Sequence, residues 1–150
     1  EKYEVEPEKL ILEIKESAFA ENLNRALKVV RLLNQAGVKV AIDDFGKDSM
    51  ALGTFNHFEP HYLKVDCRNL AKLQKNDALN TYTNAIIGMA QTLKIEVIAQ
   101  GVESENTEKQ LNDLECKIGQ GFLYSKPFEL DGFIVWMEQW RRSQMNRSSE

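Results

Sequence analysis

The chain has 150 residues, 43% hydrophobic and 28% charged, with a net charge of −4. Apolar content that high at so small a net charge marks a folded globular domain and excludes a disordered chain. No apolar run approaches the ~18 residues of a membrane helix, and the acidic balance argues against a nucleic-acid surface, where a basic stripe is expected. Cys67 and Cys116 lie far apart and match no metal spacing, which predicts two reduced thiols in a cytoplasmic setting. The chain opens EKYEVEP, with neither an initiator Met nor a signal sequence, and reads as an excised piece.

Residues 9–14 (KLILEI) predict a first strand, short and apolar. Residues 20–36 carry Leu23, Ala26, Leu27, Val30, Leu33 and Ala36 at helical spacing, and Gly37 follows as a stop. Strands are expected at 38–42 (VKVAI), running into Asp43 and Asp44, and at 62–65 (YLKV). A long helix follows on Leu79, Tyr82, Ile86, Met89, Ala90 and Leu93, then a strand at 95–99 (IEVIA). Residues 105–115 predict a helix with Ser104 as N-cap. Residues 117–123 predict a strand made irregular by Gly119 and Gly121. A last amphipathic helix, 131–142, carries Phe133, Trp136, Met137 and Trp140, with a disordered tail expected over 143–150.

Strands alternating with helices predict an α/β fold, a parallel sheet with crossover helices. Such sheets bind ligands at the carboxyl ends of their strands. Each predicted strand delivers polar residues there: Glu13 and Glu16, Asp43 and Asp44, Lys64 and Asp66, Gln100 and Glu103, and Gln120. Glu13, Asp43 and Asp44 make an all-oxygen set of the kind hard cations such as Mg²⁺ take. Alternation along a strand allows the other reading, in which only one of Asp43 and Asp44 points inward. His57 and His61 read as surface residues, and Lys64 either as an exposed edge residue or as a cation beside the carboxylates. There is no Walker motif, GxGxxG or GxSxG.

Five motifs occur in order: LILEIKES, AIDDFG, LKVD, VIAQGVES and GQGFLYSKP. Together they resemble the later motifs of the EAL domain, a bacterial module that binds and hydrolyses cyclic di-GMP, whose pattern reads LEITES, DDFGTGYSS, LKID, AEGVE and QGY.FS.P. The resemblance covers residues 7–134. It implies a TIM-like (β/α) barrel, of which this chain is the C-terminal part over residues 1–142, incomplete because the EAL motif and a metal-binding Asn belong upstream. It also implies Mg²⁺ or Mn²⁺, cyclic di-GMP as ligand, a homodimer through the domain, and an upstream GGDEF or sensory domain. By the same resemblance Glu13, Asp43 and Asp44 fall on metal-ligand positions, and Lys64 and Asp66 beside the attacking water. Glu16 matches the anchor of the loop after the Asp pair. Glu103 matches a glutamate supporting the metal site and is grouped with the ligand-binding residues Gln120, near the guanine, and Pro127, in the adjoining wall.

Departures from the pattern decide the functional expectation. AEGVE reads AQGVE, so Gln100 stands where the family places its general-base glutamate, and DDFGTGYSS reads DDFGKDSMA, with Asp48 replacing the second glycine. An amide takes up no proton at neutral pH, and general-base catalysis is worth ~10²–10⁴ in rate. The first reading is therefore a cyclic di-GMP receptor with little or no hydrolysis. An active metal-dependent phosphodiesterase and a nucleotide-independent interaction module, docking through Trp136 and Trp140, are the alternatives.

Overall fold

The computed structural model describes residues 4–47, 54, 59–68 and 78–147. Five parallel strands form one sheet: β1 (Ile11–Lys15), β2 (Lys39–Asp43), β3 (Tyr62–Asp66), β4 (Glu96–Gln100) and β5 (Ile118–Gln120). The strands lie side by side in chain order, without the reversal that marks a doubly wound sheet. Sequential order with helical crossovers is the winding of a (β/α) barrel. The helices are α1 (Ser17–Glu21), α2 (Leu23–Gln35), α3 (Ala78–Thr92), α4 (Glu105–Asp113) and α5 (Leu130–Arg147).

The central strands are apolar because they are covered on both faces, as parallel sheets require. Val40, Ala41, Ile42 and Leu63 have no exposed surface, and the core continues through Val30 of α2, Ile87 and Ala90 of α3, Ala99 of β4 and Val102. Burying each large aliphatic side chain is worth about 1.5–3 kcal/mol. The outer strands differ. Ile11 and Leu12 of β1 are exposed, and β5 is half-buried at Ile118 and exposed beyond it.

The helix expected over 20–36 is two helices. Asn22 ends α1 and starts α2, its side-chain oxygen accepting from the Arg25 amide, a cap that outcompetes continuation of the helix. Ser104 caps α4 as expected, accepting from Thr107 N. The strand expected over 117–123 keeps only Ile118–Gln120. Gly121 is the reason: its backbone crosses Val102 so closely that a Cβ there would lie 2.1 Å from the Val102 oxygen. Val102 N donates to Gln120 O and Leu123 N to Val102 O, which turns the chain out of the sheet.

α5 runs to Arg147, so residues 143–147 are helix where a disordered tail was expected. Its aromatic residues stack on one another more than on the sheet: Trp136 on Phe133 and Trp140, Phe128 against Trp136, and Tyr124 edge-on to Trp140. Leu130, Phe133, Ile134 and Val135 remain exposed. No described helix is long and apolar enough to cross a membrane. Cys67 and Cys116 are buried free thiols, as the sequence suggests.

Candidate functional site

Each strand ends on a polar residue: Lys15, Asp43, Asp66, Gln100 and Gln120. Asp66 pairs with Gln100 and Gln100 with Gln120 across β3, β4 and β5, and Lys15 pairs with Asp43 across β1 and β2; between the two rows Ile42 faces Leu63, so Asp43 lies level with Lys64 and Asp66 two residues further along. Four of these five strand ends, Asp43, Asp66, Gln100 and Gln120, are residues selected from the sequence, and all lie on the carboxyl side of the sheet.

Lys64 lies at the centre. Leu63 and Val65 turn into the apolar core, so alternation sends Lys64 to the opposite face, where its side chain is only 5% exposed. Its Nζ donates to Glu13 Oε1 at 2.6 Å and lies 3.7 Å from Asp43 Oδ1. The edge-lysine reading fails for this reason: a buried ammonium persists only when paired, and two carboxylates pair this one. Gln100 Nε2 donates to the same Asp43 oxygen at 3.2 Å. Asp43 is thus held by an ammonium from β3 and an amide from β4.

Asp44 diverges from Asp43. It adopts a positive φ of 56° past the strand end, and its carboxylate accepts from Lys47 Nζ at 2.5 Å. That hydrogen bond holds the Asp44 carboxyl below the usual carboxylate range and the Lys47 ammonium above its own. Asp66 is gripped by Arg68, whose Nε donates to both carboxylate oxygens, whose Nη2 donates to Oδ2, and whose main-chain N donates to Oδ1. The guanidinium lowers the Asp66 carboxyl against the opposing effect of its partial burial.

Glu16 is buried at 1% exposure. Its Oε2 accepts from the Gly46 amide at 2.8 Å, and the Gly46 carbonyl accepts from Tyr82 OH at 2.7 Å. The loop that follows the Asp pair is tied on both sides of one residue. Gly46 has a φ of 93°, and a Cβ there would meet Ile86 and Tyr82 within 3 Å, so the position takes only glycine. The rest of that loop, Asp48 included, lies outside the described residues, as does His57. His61 is exposed, as expected of a surface residue, yet its Nδ1 accepts from Val40 N.

Of the three expected metal ligands, Glu13 and Asp43 converge on Lys64 while Asp44 turns away to Lys47. Among the described residues no group of three or more His, Cys, Asp and Glu side chains could hold a metal ion. Their all-oxygen chemistry suits Mg²⁺ or Mn²⁺, but Lys64 sits between Glu13 and Asp43, and Asp44 is turned to Lys47. In this arrangement the residues do not fit a divalent cation. Instead, protein cations pair with Glu13, Asp43, Asp44 and Asp66.

Beside Asp66 a cavity of about 330 Å³ opens along the rim, lined by Asp44, Arg68, Gln100, Glu103, Gln120 and Phe122 among others. Glu103, Gln120 and Pro127 are exposed, and Pro127 does not line it. Sequence reasoning missed Lys47, Arg68, Tyr82 and Phe122. Arg68 had a signal: a cation two residues past a strand-terminal aspartate is in reach of that carboxylate.

A sequence model of the EAL domain matches residues 1–127. The signalling protein YkoW of Bacillus subtilis is 35% identical over 137 residues, which cover 89% of this chain and 17% of that protein. Among solved structures, the PaMucR phosphodiesterase in complex with c-di-GMP superposes with a TM-score of 0.82 at 30% identity, over 88% of this chain and 53% of that one. Klebsiella pneumoniae BlrP1, in its manganese and cyclic di-GMP complex, does so with a TM-score of 0.73 at 28% identity, over 82% of this chain and 31% of that one. The chain therefore spans a minor part of its curated relative and about half or less of these solved neighbours.

Proposed function

Because this chain belongs to the EAL domain family, we propose that it serves cyclic di-GMP signalling as a receptor, holding the dinucleotide and hydrolysing it little or not at all. The observation that carries this reading is Gln100. It stands at the carboxyl end of β4, in register between Asp66 and Gln120, and its amide nitrogen donates to Asp43. An amide so placed has no basic site for the proton of an attacking water, and loss of general-base catalysis alone removes ~10²–10⁴ in rate.

The neighbouring acids support the same reading. Asp66 is engaged by Arg68, and Glu13 and Asp43 share Lys64, so each is already paired with a cation of the protein. Elsewhere in chemistry of this type a divalent ion activates water and steadies the leaving oxygen; the arrangement here supports no step of that kind. What the chain's own residues offer is binding. Gln120 and Glu103 reach the rim cavity, Gln120 with an exposed amide that can both donate and accept, and Pro127 is an exposed apolar surface on the segment that follows β5. An upstream cyclase or sensory domain and a homodimer belong to this reading as expectations from the family.

The active phosphodiesterase reading has one observation in its favour, the retained Lys64–Glu13–Asp43 cluster. Phosphorus-31 NMR of cyclic di-GMP with the protein in Mg²⁺ separates the two. A ligand resonance that shifts or broadens and stays intact for hours supports the receptor. A growing phosphomonoester peak refutes it and makes the protein an enzyme.

A further inference from the structure

We propose that Arg68 is a specificity-determining residue of the rim cavity, reading the acceptor edge of a guanine base. This deepens the receptor reading and rests on it. The Arg68 stem lies flat over Gly101, where a Cβ would come within 2.2 Å of Arg68 Cγ and where φ is 73°, so the glycine makes room for the arginine. At its far end the guanidinium is fixed by Nε and Nη2 on Asp66. Two anchors therefore orient a side chain that is 60% exposed and that lines the cavity.

Those anchors use one edge of the fork. Among the described residues Nη1 makes no hydrogen bond, which leaves the outer Nη1–Nη2 edge to face a ligand. A planar pair of N–H donors matches two acceptors side by side, either O6 and N7 of guanine or two phosphate oxygens. The surroundings favour the base. Asp44, Asp66 and Glu103 line the same cavity; Lys47 and Arg68 are spent on the first two, and with Glu103 added the lining stays net negative against an entering phosphate. A base carries no charge and escapes that repulsion. Phe122, 58% exposed and lining the same cavity, offers a ring face on which a purine can stack. Guanine also presents N–H donors on its other edge, which the cavity's carboxylates can accept, whereas adenine places an amino group toward the arginine in place of O6.

The test is a titration of the protein with cyclic di-GMP and with cyclic di-AMP, in wild type, Arg68→Ala and Arg68→Lys, with thermal melting of each variant as a control for folding. Loss of a bidentate base contact weakens binding by about 5- to 150-fold. The expected result is at least a 10-fold rise in Kd for cyclic di-GMP in Arg68→Ala, no restoration in Arg68→Lys because an ammonium lacks the fork, and no change for cyclic di-AMP. Restoration by lysine, or an equal loss for both dinucleotides, would assign Arg68 to a phosphate and overturn the proposal. So would unchanged cyclic di-GMP affinity in Arg68→Ala while the wild type binds. A wild type that fails to bind cyclic di-GMP overturns the receptor reading itself, and this inference with it.

Discussion

Replacing Gln100 by glutamate converts the donor in the Gln100–Asp43 contact into a second acceptor. Gln100 Nε2 and Asp43 Oδ1 are 3.2 Å apart. Two carboxylate oxygens fixed at that spacing repel by about 5 kcal/mol at an effective dielectric of ~20. Lys64 cannot absorb the added charge, since its ammonium already serves Glu13 at 2.6 Å and Asp43 at 3.7 Å. Side-chain rotation and entering water relieve part of the repulsion, leaving a net loss of about 2 kcal/mol at neutral pH. That corresponds to a melting temperature roughly 4–8 °C lower for a chain of this size. The pH dependence has a definite sign. An introduced acid whose charged form is disfavoured has its pKa raised above the unfolded value of ~4.3. The Gln100→Glu variant therefore matches the wild type below about pH 4 and falls behind as pH rises through and beyond that value. Millimolar Mn²⁺ should restore the variant's melting temperature more than it raises that of the wild type, because a cation offsets the new carboxylate pair. Melting curves from pH 4 to 8, in EDTA and in Mn²⁺, read all of this directly. A variant as stable as the wild type in EDTA at pH 8 would show that Gln100 does not hold Asp43, and the account of the rim would fail.

Lys64→Met removes the buried ammonium and leaves Glu13 and Asp43 facing each other without a cation. With Glu13 half-exposed, the expected destabilisation is about 1–3 kcal/mol, measured by urea unfolding. Gly121→Ala places a methyl group 2.1 Å from the Val102 carbonyl oxygen, so the β5 turn must move; about 1–3 kcal/mol is lost, and dinucleotide affinity falls with it in calorimetry. The Cys67 thiol is 1% exposed and burial pushes its pKa up to about 12, while burial also raises that of Cys116. Both should resist a thiol reagent at pH 8 in the folded protein and react at the rate of unfolding in urea.

The fold was legible because hydrophobic runs and their spacing are local. VKVAI and YLKV announce strands buried on both faces, and the terminal polar residues followed from where those runs stop. What sequence could not give was partnership across the sheet. That Lys64 would sit between Glu13 and Asp43 depends on a register joining residues far apart in the chain. The divergence of Asp43 from Asp44 depends on a positive φ at Asp44, and alternation alone left it open. The helix expected over 20–36 overran the cap because its apolar stripe, which begins at Leu23, does not mark Asn22 as the residue that starts α2. In α5 the helical spacing of the aromatic residues was legible, but that their rings stack on one another was not.

The hold on Gly46 has a mechanical consequence. One residue is fastened by its N–H to β1's flank through Glu16 and by its carbonyl to α3 through Tyr82. With side-chain space at Gly46 closed off, Gly46 itself has little slack. Any event at the rim that displaces the residues after Asp44 must break one of these bonds or drag Tyr82 with it. The strand ends are thereby geared to a helix on the outer layer, and occupancy at the rim has a route for being felt along the length of α3.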